Sequence, residues 1–134
     1  MCIRDSQRPL ALLVLDCDNF KSVNDRFGHL DGDKVLQALA GVIGRCLRNS
    51  DSGFRYGGEE FILLLPETTG EAARILAERL RAGFANEAIE SGSGLPITCT
   101  VSIGAVSYTH LRAHETVLDL VCRLLLEKKK QQNH

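Results

Sequence analysis

From position 10 to 15 the chain reads Leu-Ala-Leu-Leu-Val-Leu, and it stops at Asp16. An unbroken apolar run of that length predicts a strand buried on both faces that delivers a carboxylate at its end. Residues 19–27 predict a short helix closed by Gly28-His29. From Asp31 to Arg48, Val35, Leu36, Leu39, Ala40, Ile43 and Leu47 recur at three- and four-residue steps. That spacing predicts an amphipathic helix, opened by the acidic Asp31-Gly32-Asp33 where the helix dipole favours negative charge. Phe54-Arg55-Tyr56 and the run from Glu59 to Leu65 flank Gly57-Gly58. They predict a hairpin with a two-residue primed turn, in which glycine supplies positive φ. Pro66 ends the second strand, and Thr68-Thr69-Gly70-Glu71 offers a capping box for a helix with Ala72, Ile75, Leu76 and Leu80 on its buried face. Residues 91–96 read as a turn-rich connection. Residues 97–103 alternate Ile97, Cys99, Val101 and Ile103 against polar neighbours, the period of a half-buried strand.

The order is β-α-α-β-β-α-β. It predicts the α+β class, with a ferredoxin-like or palm-like core and a mostly antiparallel central sheet flanked by helices. At 134 residues the chain suits one domain with a real core. A formal net charge of −1 gives no broad basic surface, so neither nucleic acid nor membrane is expected as a partner, and an anionic ligand must be held by local groups. Cys2, Cys17, Cys46, Cys99 and Cys122 include no CxxC pair and have no histidine at ligand spacing. Reduced thiols in a cytoplasmic protein are the expectation, without disulfides or zinc. The apolar runs are too short to span a bilayer, and the first nine residues lack the apolar core of a signal peptide.

The chemistry gathers on carboxylates. Asp16 ends one predicted strand, and Glu59-Glu60 begin the strand after the hairpin turn. If first strand and hairpin are neighbours, these acids converge, and converging carboxylates call for a cation between them. Magnesium, a hard ion that takes oxygen ligands and shares phosphates, suits the position and points to phosphoryl or nucleotidyl transfer. Solvated acids at strand ends remain the plainer alternative. A calcium loop at Asp16-Cys17-Asp18 fails, because Phe20 and Lys21 stand where that loop needs an oxygen ligand and glycine. A DxD motif of glycosyltransferase type is too short to carry weight.

Three blocks occur in order: Leu15-Asp16-Cys17-Asp18-Asn19-Phe20-Lys21-Ser22-Val23-Asn24-Asp25, then Phe27-Gly28-His29 with Gly32-Asp33, then Arg55-Tyr56-Gly57-Gly58-Glu59-Glu60-Phe61. Together they closely resemble the GGDEF family. The resemblance implies a nucleotide-cyclase type of fold. It also implies a diguanylate cyclase that condenses two GTP into cyclic di-GMP and two pyrophosphates as a homodimer, with Mg2+ (or Mn2+) as cofactor. By the same resemblance, Asp16, the Cys17 carbonyl and Glu59 bind the metal, and Glu59 also accepts the proton of the attacking hydroxyl. Glu60 assists, Lys21 steadies phosphate charge, and Gly57 and Gly58 give the triphosphate room. Asn24 and Asp33 are implied to hydrogen-bond guanine, whose edge offers both acceptor and donors. Taken without the resemblance, Asn24 reads as a helix-terminal residue, Asp33 as a first-turn acid and Lys21 as solvated surface.

Arg48-Asn49-Ser50-Asp51 stands just before the signature, as in family members that bind their own product at an inhibitory site, and Arg79 matches a supporting arginine. The alternative function is a catalytically impaired module that binds cyclic di-GMP through Arg48 and Asp51. A different palm-like nucleotidyl-transfer enzyme fits the joint pattern less well. The expected division is a non-family leader at 1–8, the GGDEF domain at 9–106 and an atypical helical tail at 107–134. The Asp-x-Leu-Thr segment that usually opens the family is replaced, and the tail departs from the family's closing motif, with Lys128-Lys129-Lys130 as its only cationic run. Both ends read as non-native sequence. His110 and His114 share a helical spacing, which without a third ligand falls short of a metal site.

Overall fold

A computed structural model describes residues 9–108. In chain order the elements are β1 (Leu10–Cys17), α1 (Phe20–Phe27), α2 (His29–Cys46), β2 (Ser52–Arg55), β3 (Glu60–Pro66), α3 (Gly70–Ala85), β4 (Ile89–Glu90), β5 (Pro96–Ile97) and β6 (Val101–Tyr108). Four strands form one sheet in the order β2-β3-β1-β6, with every neighbouring pair antiparallel. Each of the two crossover units, β1-α1-α2-β2 and β3-α3-β6, therefore straddles a strand from the other. This is the ferredoxin-like interleaving expected of an α+β chain with this element order.

β1 lies at the centre, between β3 and β6, as its continuous apolar run predicts. Its alternate residues Ala11, Leu13, Leu15 and Cys17 join Phe61, Leu63 and Leu65 of β3 in the core against Val35, Leu39 and Val42 of α2 and Leu80 and Phe84 of α3. Leu10 and Leu12, displaced by one position, are buried as well. Burying a leucine fully stabilises the fold by roughly 1.5–3 kcal/mol, so β1 is the most heavily anchored strand. Its end is a rigid place for a functional carboxylate.

Several local expectations need correction. The buried face of α3 is Ala73, Leu80 and Phe84, whereas Ile75 is 59% exposed and Ala72 is exposed too. On α2, Val42 replaces the exposed Ala40. The N-cap of α3 is Thr69, which accepts from the Ala72 N–H at 3.1 Å. Thr68 instead donates to the Pro66 carbonyl at 2.9 Å. The expected strand at 97–103 is two strands, because residues 98–100 leave the ladder. Its periodicity survives the break: Ile97, Cys99 and Val101 are all buried. Within the turn-rich stretch, residues 91–95 are the tip of a small hairpin, β4 with β5, that the sequence pattern does not announce, and Pro96 opens β5. β6 runs on to Tyr108, opposite Leu10. The leader at 1–8, the histidine pair and the lysine run lie outside the described residues.

Candidate active site

The β1–β3 register brings the acids together. Asp16 sits directly opposite Glu60, and the Cys17 N–H donates to the Glu59 carbonyl at 3.1 Å. Asp16, Glu59 and Glu60 are all half-buried. Thus two adjacent central strands present three carboxylates and the Cys17 backbone at one end of the sheet. Among the described residues, no cluster of three or more His, Cys, Asp or Glu side chains is arranged to hold a metal ion. A set of Asp16, Glu59 and the Cys17 carbonyl offers only two such side chains, all of its donors being hard oxygens. That donor set fits magnesium, which keeps waters or substrate phosphates in its remaining octahedral positions.

Asp18, part of the same motif, has a different task. Its carboxylate accepts from Thr100 Oγ1 at 2.8 Å and Ser102 Oγ at 2.5 Å, while its N–H donates to the Thr100 carbonyl at 2.9 Å. It pins the end of β1 to the start of β6. A cavity of about 500 Å3 beside α1 includes Asp18, Ser22, Arg26 and Thr100 in its lining but none of Asp16, Asn24 and Glu59.

The turn between β2 and β3 is not the predicted two-residue primed turn. Strand pairing ends at Arg55 opposite Phe61, and neither Gly57 nor Gly58 has positive φ. The Tyr56 N–H closes a wider loop on the Glu60 carbonyl at 2.8 Å. Crowding within the folded chain gives only a slight reason for glycine here. A Cβ on Gly57 would stand 3.0 Å from Glu60 Oε1, while the same position on Gly58 is open. Arg55, quoted in the signature but given no task from sequence, folds back over this loop. Its Nε donates to the Gly57 carbonyl at 3.1 Å and its Nη2 to the Gly58 carbonyl at 2.6 Å.

Lys21 and Asn24 lie on α1, which starts three residues after Cys17. Lys21 is exposed and Asn24 half-buried. Gly28 ends α1 and starts α2 with φ +94°, a conformation that glycine adopts without strain. The sharp reversal packs the first turn of α2 against α1. Gly32 there is buried, and a Cβ on it would overlap Asn24 Oδ1 and stand 3.3 Å from Phe20 Cζ. Asn24 Oδ1 is buried without a hydrogen-bond partner. Asp33, next to Gly32, is exposed. The other acid of this turn, Asp31, is buried and accepts from the Gly92 N–H at 3.0 and 3.2 Å through its two oxygens. From sequence it reads only as a helix-start acid.

Arg48 and Asp51 pair with one another. Arg48 Nε and Nη2 reach Asp51 Oδ2 and Oδ1 at 3.1 and 2.8 Å, and the Arg48 N–H adds a third bond at 2.9 Å. Nη2 also donates to the Pro66 carbonyl and to Thr68 Oγ1. The Asp51 side chain is 2% exposed. Burial pushes its carboxyl up, but the hydrogen bonds and charge of Arg48 outweigh this and hold it below the usual range. Arg48, Asp51, Thr68 and Arg79 line one cavity of about 200 Å3. On the core side, the Cys17 and Cys99 thiols are hydrogen-bonded. This contact, burial and the nearby acids push Cys17 up, while the same contact draws Cys99 down against the opposing effects of burial and Asp18. Among the described residues, Cys17, Cys46 and Cys99 are free thiols.

A ferredoxin-like α+β domain with carboxylates at the ends of two adjacent central strands defines the class. Comparison with known proteins narrows it. Residues 1–134 match the family described as "Diguanylate cyclase, GGDEF domain", and the chain belongs to that family. It is 39% identical over 126 residues to diguanylate cyclase A of Treponema denticola, covering 93% of this chain and 34% of that protein. It is 46% identical over 114 residues to diguanylate cyclase DgcM of Escherichia coli K12, covering 85% of this chain and 26% of that one. The chain thus spans about a third or less of the curated relatives it matches. Among solved structures, the GGDEF domain of DgcB from Caulobacter crescentus in complex with c-di-GMP superposes with a TM-score of 0.78 at 28% identity, covering 97% of this chain and 77% of that one. The active GGEEF domain of a diguanylate cyclase from Vibrio cholerae gives 0.75 at 32% identity, covering 97% and 81%. Among the described residues, no helix is long and apolar enough to cross a membrane.

Proposed function

We propose that this domain condenses two GTP molecules into cyclic di-GMP with release of two pyrophosphates, each copy of a homodimer holding one GTP. The observation that carries the reading is Asn24 Oδ1, a buried acceptor without a partner. A buried unsatisfied acceptor costs roughly 1–3 kcal/mol, and a fold keeps one where a ligand completes it. Guanine offers donors at N1 and at its 2-amino group. Exposed Asp33, one residue beyond the glycine that Asn24 packs against, supplies the second acceptor for that edge.

Asp16, Glu59 and the Cys17 carbonyl are the residues that would hold Mg2+ or Mn2+. Such an ion, when bound, neutralises charge on the triphosphate and polarises the reacting groups. The chain's own residues carry the rest. Gly57 and Gly58 let phosphates approach the backbone, Arg55 holds their carbonyls, and Lys21 steadies phosphate charge. The 3′-hydroxyl oxygen of one GTP bonds to the α-phosphorus of the other as the bond to the β-phosphate bridging oxygen breaks. The hydroxyl proton passes to Glu59, with Glu60 alongside. Two such steps close the ring and release two pyrophosphates. Neither GTP can reach its own α-phosphate in this way, so two copies must face each other.

Incubation with GTP and magnesium, followed by chromatography, tests this. Cyclic di-GMP and pyrophosphate should appear at one to two, and Glu59→Ala should abolish both. Product formation that survives Glu59→Ala would contradict the assigned chemistry. A second reading is favoured by the cavity shared by Arg48, Asp51 and Arg79: a module that binds cyclic di-GMP without turnover. Absence of product, together with dinucleotide binding that is lost in Arg48→Ala, would select it.

A further inference from the structure

We propose that Asp31 is a positioning residue for guanine discrimination: it clasps the β4–β5 hairpin onto the first turn of α2 and so fixes the turn that carries Gly32 and Asp33. The inference rests on the guanine reading of Asn24 and Asp33 given above.

An acid in a first helical turn gains from the helix dipole while standing in water, as exposed Asp33 does. Burial strengthens that gain somewhat but costs more in lost solvation. Asp31 is nevertheless buried, and both of its oxygens face the Gly92 N–H, 61 positions away in the chain. A hydrogen bond from a backbone N–H to a carboxylate is charge-assisted, about twice as strong as a neutral one. Lys34 braces the arrangement. Its Nζ lies 3.5 Å from Asp31 Oδ1 and donates to the Glu90 carbonyl at 3.4 Å.

The hairpin tip is built to present that N–H. The Ser91 N–H donates to the Leu95 carbonyl at 2.9 Å, and the Leu95 N–H returns to Ser91 Oγ at 3.1 Å. The Gly94 N–H closes on the Ser91 carbonyl at 2.9 Å, and the hydroxyls of Ser91 and Ser93 stand 2.9 Å apart. A continuous line of contact therefore runs from the tip through Asp31 to Gly32 and on to Asn24 Oδ1. If the clasp is released, the first turn of α2 is free to shift, carrying Asp33 with it and moving the Gly32 surface against which Asn24 of α1 packs.

Steady-state kinetics with GTP and with ITP, which lacks the 2-amino group, test the proposal in Asp31→Ala, Asp31→Asn and Ser91→Ala. Asp31→Ala should raise the KM for GTP about tenfold, leave kcat within about threefold, and bring the GTP:ITP preference towards one. Asp31→Asn keeps an oxygen that accepts from Gly92 and should retain the preference. Ser91→Ala should move it in the same direction as Asp31→Ala by about two- to fivefold. An unchanged preference in Asp31→Ala overturns the proposal, as does a fall in kcat alone. Should Asp31→Ala not fold, an unchanged preference in Ser91→Ala overturns it. Where turnover is slow, dissociation constants by calorimetry give the same ratio. Asp33→Ala separates the two layers. If it too leaves the preference unchanged, the guanine reading itself has failed. If it removes the preference while the Asp31 and Ser91 variants do not, only the clasp has failed.

Discussion

Replacing Gly32 by alanine is the sharpest perturbation of the proposed base site, because its effects on stability and on binding run in opposite directions. The new Cβ would overlap Asn24 Oδ1 and stand 3.0 Å from Asn24 Cγ. The amide must therefore swing out of its slot. Alanine in place of glycine within a helix stabilises by about 0.5–1 kcal/mol. Expelling an orphan acceptor recovers part of its roughly 1–3 kcal/mol burial cost. Against these stands a rotamer cost of about 0.5–1.5 kcal/mol for the displaced side chain. The sum is close to zero or favourable, so the melting temperature should hold or rise by about 2–5 °C. Binding should suffer. Losing the bond to guanine while leaving its donor desolvated amounts to about 1.5–3 kcal/mol, or roughly 10- to 100-fold in kcat/KM for GTP. Scanning calorimetry beside GTP and ITP kinetics reads both arms. A variant that melts well below the parent yet keeps its KM for GTP would refute the reasoning, since Asn24 would then be a packing residue.

Other predictions follow from the remaining contacts. Arg55→Ala removes two bonds to the Gly57 and Gly58 carbonyls, and should raise the KM for GTP by about tenfold with little change in melting temperature, whereas Arg55→Lys, a point charge without the planar fork, should rescue it only partly. Arg48→Ala should weaken cyclic di-GMP binding by calorimetry at least tenfold while leaving initial rates at low product unchanged; equal affinity would remove Arg48 from a product site. The Asp51 carboxyl is held below its usual range in the folded chain, so its pair contributes stability above the unfolded value of about pH 4 and loses it as pH falls through the folded value. Asp51→Asn should accordingly melt lower at neutral pH and show a flatter acid limb. Thr100→Val removes one hydroxyl from Asp18 and should lower stability by about 1 kcal/mol, measured by urea unfolding.

The sequence made some of this legible and hid the rest for physical reasons. β1 was readable because a strand buried on both faces must be apolar throughout, and the burial of consecutive residues from Leu10 to Leu13 bears that out. The meeting of Asp16 with Glu60 followed once β1 and β3 were adjacent. The turn at Gly57-Gly58 was misjudged because glycine permits positive φ without requiring it, and spacing alone does not tell which conformation the loop takes. On α3, Leu76 and Leu80 face the core as expected, while Ala72 gives way to Ala73, since the two look alike in a pattern and only Ala73 is buried. β4 and β5 are two residues each and too short to show a period. The tasks of Asp18 and Asp31 depend on partners brought close only by folding, 61 positions away for Asp31 and up to 84 for Asp18. No local signal marks such contacts.

The most direct test of the central claim is the product of the purified chain with GTP and magnesium, assayed across protein concentration beside Asp16→Ala and Glu59→Ala. The account predicts cyclic di-GMP with two pyrophosphates, a rate that rises faster than linearly with protein until the dimer is saturated, and no product from either variant. Cyclic di-GMP formed at a rate strictly proportional to protein, or formed by Glu59→Ala, would contradict it.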